Sequence, residues 1–187
     1  MIIVGIDPSL TSTGIAIVDT DDPLVIDVHR VESKGHAGDT WVQRLTRIES
    51  IADRVFAVVA ASNPDGGGMV VLESPSYGSK AGSVHDRSGA WWAIYSRLHH
   101  AGSTVVPVPP TNRAKYATGS GRSNKDTVML AASRRYPHAP ITDNNEADAV
   151  ILAAIGARIV GQPIEESLPQ AHLAALTKLT PTKENHA

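Results

Sequence analysis

Three observations predict an α/β fold built on a mixed sheet with helices on both faces. Three apolar runs crowd the first 33 residues, each parted from the next by a short turn, which reads as an antiparallel meander. From there on, apolar runs of strand length alternate with segments of helical spacing, the pattern of parallel strands joined by crossovers. Finally, a chain of 187 residues that is 42% hydrophobic can bury one sizeable core and leaves little for a second.

Taken in order, MIIVGID predicts a buried strand, and GIAIVDT its antiparallel partner across a Pro/Ser/Thr/Gly turn. DTDDP turns the chain into a third strand, PLVIDVHRVES. From Thr40 to Ser62 the apolar positions Trp41, Leu45, Ile48, Ile51, Ala52, Val55 and Val59 recur at helical spacing, and NPDGGG ends that helix. GMVVLESP is a fourth strand ending in Glu73, GAWWAIYSRLHHAG a helix and STVVPVPP the fifth strand. TNRAKYATGSGRSNKDTVMLAASRRYP reads as a short helix, a Gly/Ser loop and a second helix starting near Ser123. EADAVILAAIGARIVG is an apolar helix with Asp143 as its N-cap and Glu146 completing a capping box. Beyond Gly161 the sequence turns polar and Pro-rich, with one short helix near Gln170 to Lys178. Residues 1–160 are therefore expected to form one domain, and 161–187 a polar, partly disordered tail.

Composition limits the chemistry. There is no cysteine, so any metal must be held by carboxylate, amide or imidazole groups, which favours hard cations. The first residues lack a basic n-region, and no run of about 18 apolar residues occurs, so neither a secretory signal nor a membrane span is expected. A cytoplasmic location follows as the expectation. The formal net charge of −2 hides an asymmetry. Between Gly78 and Arg135 lie nine basic residues (Lys80, Arg87, Arg97, Arg113, Lys115, Arg122, Lys125, Arg134 and Arg135) against Asp86 and Asp126, an excess of +7 that leaves −9 for the rest. Such a division can set a basic face beside an acidic site, which suits a polyanion; the same charges can also be scattered over several solvated faces.

Two strand-like runs end in an acid, IIVGID and VVLES. If these strands are parallel neighbours, Asp7 and Glu73 sit side by side at the edge where ligands of open α/β sheets bind. Asn145 and Asp148, three apart in DNNEADAV, share one helical face. With that helix packed beside the first strand, Asp7, Glu73, Asp148 and Asn145 converge on an oxygen-rich pocket that repels itself without cations. Two shared divalent ions in such a pocket suit phosphodiester cleavage.

GIDPSLTSTGIAI, VVLESP and NEADAVILA, in this order and spacing, resemble the RuvC-type Holliday-junction resolvases of the ribonuclease H-like superfamily over roughly Met1 to Val160. The resemblance implies a ribonuclease H-like mixed five-stranded sheet and a crossover junction endodeoxyribonuclease that cuts branched DNA, chiefly four-way junctions, by paired nicks. It implies Asp7, Glu73 and Asp148 as metal-binding acids, with Mg²⁺ as cofactor, two per active site, and Mn²⁺ as a substitute. The fourth family ligand, commonly Asp or His, falls here on Asn145, a neutral oxygen donor that cannot act as a base, so Asp143 or Glu146 can be asked to compensate. Lys115 and Lys125 fall where the family carries lysines, and Lys125 is placed to orient the attacked phosphate. Arg113, Arg122 and Lys80 are expected at DNA phosphates, and Tyr77, just past the second acid, at a base. Trp91 and Trp92 lie on the helix that implies a homodimer, one facing the core and the other the partner. Three further readings remain open: a broader flap and fork debranching nuclease, a non-catalytic junction-binding protein, and an actin-like ATPase that shares the first motif.

Overall fold

The computed structural model describes residues 1–64, 68–75 and 83–179. Strands β1 (Ile2–Asp7), β2 (Ser12–Asp19) and β3 (Asp22–Glu32) form the antiparallel meander. Helix α1 (Trp41–Ser62) follows, capped at Thr40 by a capping box with Gln43, and leads to β4 (Met69–Glu73). Next come α2 (Val84–His100) and β5 (Thr104–Val108), then α3 (Pro110–Thr118), α4 (Lys125–Arg135), α5 (Asn144–Ile159) and the short α6 (Gln170–Leu173), which ends in a 3₁₀ turn at Ala174–Leu176. The sheet order is β3-β2-β1-β4-β5, with β1, β4 and β5 parallel, so the predicted mixed five-stranded sheet is the one observed.

Strand alternation divides the core between the two faces of the sheet. Val4, Ile6, Ile15, Ile17, Val70 and Leu72 face α1 and α2, packing on Ile51, Val55, Trp91, Ile94 and Leu98. Ile3, Ala16, Val18, Met69, Val71 and Val106 face α3, α4 and α5. Asp7 continues the Ile3 face of β1, and Glu73 continues the Met69 face of β4, so both acids point to the side that α5 covers.

Helix α5 lies across β1 and β2, close enough to leave no room for side chains at two points. A Cβ on Gly5 would meet the Ala149 carbonyl oxygen at 2.1 Å, and one on Gly14 the Asn145 carbonyl oxygen at 2.2 Å. The pattern of small residues in EADAVILAAIGARIVG therefore serves contact with the sheet as well as helix propensity.

The segment after α5, expected as a loose tail from Gly161, is built onto the domain as far as it is described. Ala175 is fully buried, and Ile164, Leu168, Leu176 and Leu179 pack against the α5 side of the core. Glu165 accepts hydrogen bonds from the phenols of Tyr116 and Tyr136, and it pairs with Arg158 at 2.9 Å. The expectation of disorder also covers residues 180–187, which lie outside the described residues.

Candidate active site

The end of β1 is held by its own turn. The Thr13 hydroxyl accepts a hydrogen bond from the Ser9 amide at 3.0 Å and donates to the Ser9 carbonyl at 2.9 Å, while Arg47 of α1 donates to the Leu10 carbonyl. The hydroxyl residues after Asp7 thus satisfy the backbone of a tight turn and fix where the acid stands. In the β1–β4 ladder Ile6 pairs with Leu72, so Asp7 and Glu73 are the next residues along two parallel neighbours. Trp91 of α2 donates its indole N–H to the Glu73 carbonyl at 2.8 Å, fixing the end of β4.

From the other side α5 brings Asp148 and Asn145. Asp148 is 1% exposed, and one of its carboxylate oxygens, Oδ2, is buried without a hydrogen-bond partner among the described residues. The Asn145 amide nitrogen donates to the Ser12 carbonyl at 2.9 Å, which leaves its side-chain oxygen as the atom to offer a cation. Asp7, Glu73, Asn145 and Lys125 line one cavity of about 430 Å³, together with Arg87, Arg113 and the turn residues Pro8 and Ser9.

The electrostatics are under-compensated. Burial, with the charges of Glu73 and Asp148 added, holds the Asp7 carboxyl well above the usual carboxylate range, and Arg113 and Lys125 only partly oppose this. Burial likewise pushes Asp148 up to about 7, against the pull of Arg113. Arg113 is itself buried, 6% exposed, and donates to Glu73 through Nε and to Asp148 through Nη1. Desolvation works against its charge, but Glu73, Asp148 and Asp7 outweigh it and raise its pKa.

With Arg113 between them, no three acidic or imidazole groups among the described residues stand ready-made around an ion. Yet three carboxylates, one of them Asp148 with its orphaned buried oxygen, and an amide oxygen make an oxygen-only donor set with one buried guanidinium to balance it. That set fits a hard divalent cation.

No family model matches the chain. Among curated proteins it is 27% identical over 168 residues to the crossover junction endodeoxyribonuclease RuvC of Rhodopirellula baltica, covering 89% of this chain and 91% of that one. It is 28% identical over 154 residues to the protein of the same name in Rickettsia bellii, covering 82% and 94%. The structure of Thermus thermophilus RuvC superposes with a TM-score of 0.65 at 20% identity, over 87% of this chain and 98% of that one. The same protein in complex with a Holliday junction substrate gives 0.63 at 19% identity, over 87% and 97%. Over most of its length the chain is similar to these RuvC proteins.

The sequence-predicted residues divide. Asp7, Glu73, Asp148, Asn145 and Lys125 are brought together. Arg113, expected on a DNA-facing surface, is instead buried inside the acid cluster, because β5 runs beside β4 with Val108 opposite Glu73 and so delivers the first turn of α3 to the acids. Lys115 is half-buried on α3 and does not line the cavity; Arg122 is exposed between α3 and α4. Tyr77 and Lys80 lie outside the described residues. Neither Asp143 nor Glu146 compensates for Asn145, since both are committed to the N-terminus of α5. Asp143 accepts from the Glu146 amide and from Arg30, and Glu146 accepts from the Thr142 amide and hydroxyl. Sequence reasoning missed Arg87 as a residue of the cavity wall and Trp91 as the anchor of β4. Of the Trp pair, Trp91 is buried and Trp92 is 62% exposed, as expected of neighbours that cannot share one core.

Proposed function

We propose that this chain is a divalent-metal-dependent, structure-specific endonuclease that resolves Holliday junctions in branched DNA by paired nicks. The observation that carries the reading is the meeting of Asp7 and Glu73 at one cavity with Asp148 buried beside them, an Asp148 oxygen left unsatisfied, in a chain similar to RuvC proteins over most of its length. Asp7, Glu73 and Asp148 would hold Mg²⁺, or Mn²⁺ in its place, two per site, with the Asn145 oxygen completing the donor set. When bound, such ions supply a water of lowered pKa and neutralise charge on the phosphate oxygens. Lys125, exposed at the start of α4 on the cavity wall, holds the attacked phosphate and meets its developing charge. Arg122 and Lys115 contact phosphates away from the reacting centre, and the DNA-binding set includes Lys80 for a phosphate and Tyr77 for a base.

A second copy of the chain fits the α1–α2 face. Trp92, Trp41, Val42 and Leu45 are all exposed there, and Arg44 joins the two helices by lying 4.4 Å over the Trp41 ring while pairing with Asp86. Apolar exposure on that scale marks an interface, and a two-fold dimer carries two sites for two strands. We assign residues 1–160 to the nuclease domain, with the following segment as far as Leu179 packed onto its core. No helix among the described residues is long and apolar enough to cross a membrane. A DNA substrate puts the protein in the cytoplasm of a bacterial cell or a phage-infected host.

The test is cleavage of a labelled four-way junction beside flap, fork and linear duplex DNA, with Mg²⁺, Mn²⁺ or EDTA. Paired, metal-dependent nicks confined to the junction are expected. Equal cutting of flaps and forks would broaden the substrate, and tight junction binding without cutting under either metal would overturn the nuclease reading.

A further inference from the structure

The proposal rests on the reading of the acid cluster as a metal site. A buried guanidinium is costly unless its donors are met, and Arg113 meets them with carboxylates from two different elements, Glu73 of β4 and Asp148 of α5. Those are carboxylates that a divalent ion would also need. Arg113 takes one oxygen of each, Glu73 Oε2 and Asp148 Oδ1, and its fixed positive charge in a buried site opposes a divalent cation at the oxygens that remain, Asp148 Oδ2 among them. Lys125 stands on the same cavity wall but is exposed, so it leaves the acids open.

We propose that Arg113 is an internal counter-ion of the metal-free enzyme, which must release Glu73 and Asp148 before metal loads and which passes to a DNA phosphate when it does. The group that receives it has to be an anion at the cavity, and a backbone phosphate can take with its own oxygens the donors that Arg113 now divides, one each, between two carboxylates. Metal and DNA are then coupled through one side chain. DNA drains Arg113 from the acids and tightens metal binding, and metal must tighten DNA binding by the same factor.

The test measures Mn²⁺ binding by titration calorimetry or electron paramagnetic resonance, for the wild type and for Arg113→Gln, without DNA and with a phosphorothioate four-way junction that resists cleavage. In the absence of DNA, Arg113→Gln is expected to bind Mn²⁺ about tenfold more tightly or better, having lost both a competitor and a repelling charge. The junction should tighten Mn²⁺ binding to the wild type and do so less in the variant. In EDTA the variant should melt lower than the wild type, and Mn²⁺ should raise its melting temperature by more. Arg113→Lys keeps the charge but loses the fork, and it should fall between the two; it carries the test if the Gln variant does not fold. Equal Mn²⁺ affinity in all three proteins, with binding still abolished by Asp7→Asn, would make Arg113 a structural ion pair and overturn the proposal alone. Failure of every form to bind Mn²⁺ would overturn the metal site and the proposal together.

Discussion

Helix α3 takes part in two buried charged clusters, and they differ in how completely they are satisfied. Around Glu165, one carboxylate receives two phenols and a guanidinium, from Tyr116, Tyr136 and Arg158. Around Arg113, one guanidinium serves Glu73 and Asp148, Asp7 lies beside them with its carboxyl held above its ordinary range, and an Asp148 oxygen has no partner among the described residues. A closed network is a brace, and an open one has capacity left for a ligand. Removing a partner should therefore cost stability in the first cluster and activity in the second.

The largest break in that contrast is Asp7→Asn. It should reduce junction cleavage by on the order of 10³-fold or more while leaving the EDTA melting temperature unchanged or higher, because it removes an under-compensated buried charge. Near-normal turnover in that variant would place the metal elsewhere. Glu165→Ala should do the reverse. Loss of the carboxylate strands Arg158 and two phenols, at about 3 kcal/mol by urea denaturation, with cleavage per folded molecule preserved. A destabilisation too small to measure would show the brace to be dispensable.

Smaller effects sharpen the comparison. Lys125→Ala should lower kcat by about 10- to 100-fold with little change in junction affinity or stability, and an affinity loss at constant kcat would return Lys125 to a plain phosphate contact. At high pH the brace should weaken in a defined way. Burial, with the charge of Glu165 added, holds the phenols of Tyr116 and Tyr136 above their ordinary value. Below about pH 10 both are neutral in folded and unfolded chains, so their contribution is fully present; above it the unfolded chain releases protons that the folded one keeps, and stability declines. Tyr136→Phe should make that decline shallower by up to about 1.4 kcal/mol per pH unit, read from urea midpoints between pH 9 and 11.

How far each cluster was legible in the sequence follows from how it is assembled. Asp7 and Glu73 end apolar runs, and Asn145 and Asp148 are three apart on a helix, so period and position alone bring them to one place. The Asp143–Glu146 capping box was legible for the same local reason. Arg113 was visible as a charge but not as a member of the cluster, since its place depends on the order and register of β4 and β5. Glu165 was hidden further still. Its partners come from α3, the end of α4 and α5, and its own segment carries its anchors singly among prolines and exposed residues, a pattern that reads as a tail.

The contact of α5 with bare backbone at Gly5 and Gly14 has a mechanical consequence for the centre. The gap between the strand acids and the helix acid is gauged by main chain resting on main chain, with no loop or side chain to take up slack. A single methyl at either glycine would act as a shim, lifting Asn145 and Asp148 away from Asp7 while leaving every functional group in the sequence intact. The dimensional tolerance of the centre is thus smaller than one carbon atom, and it is set by two residues that have no side chain to contribute.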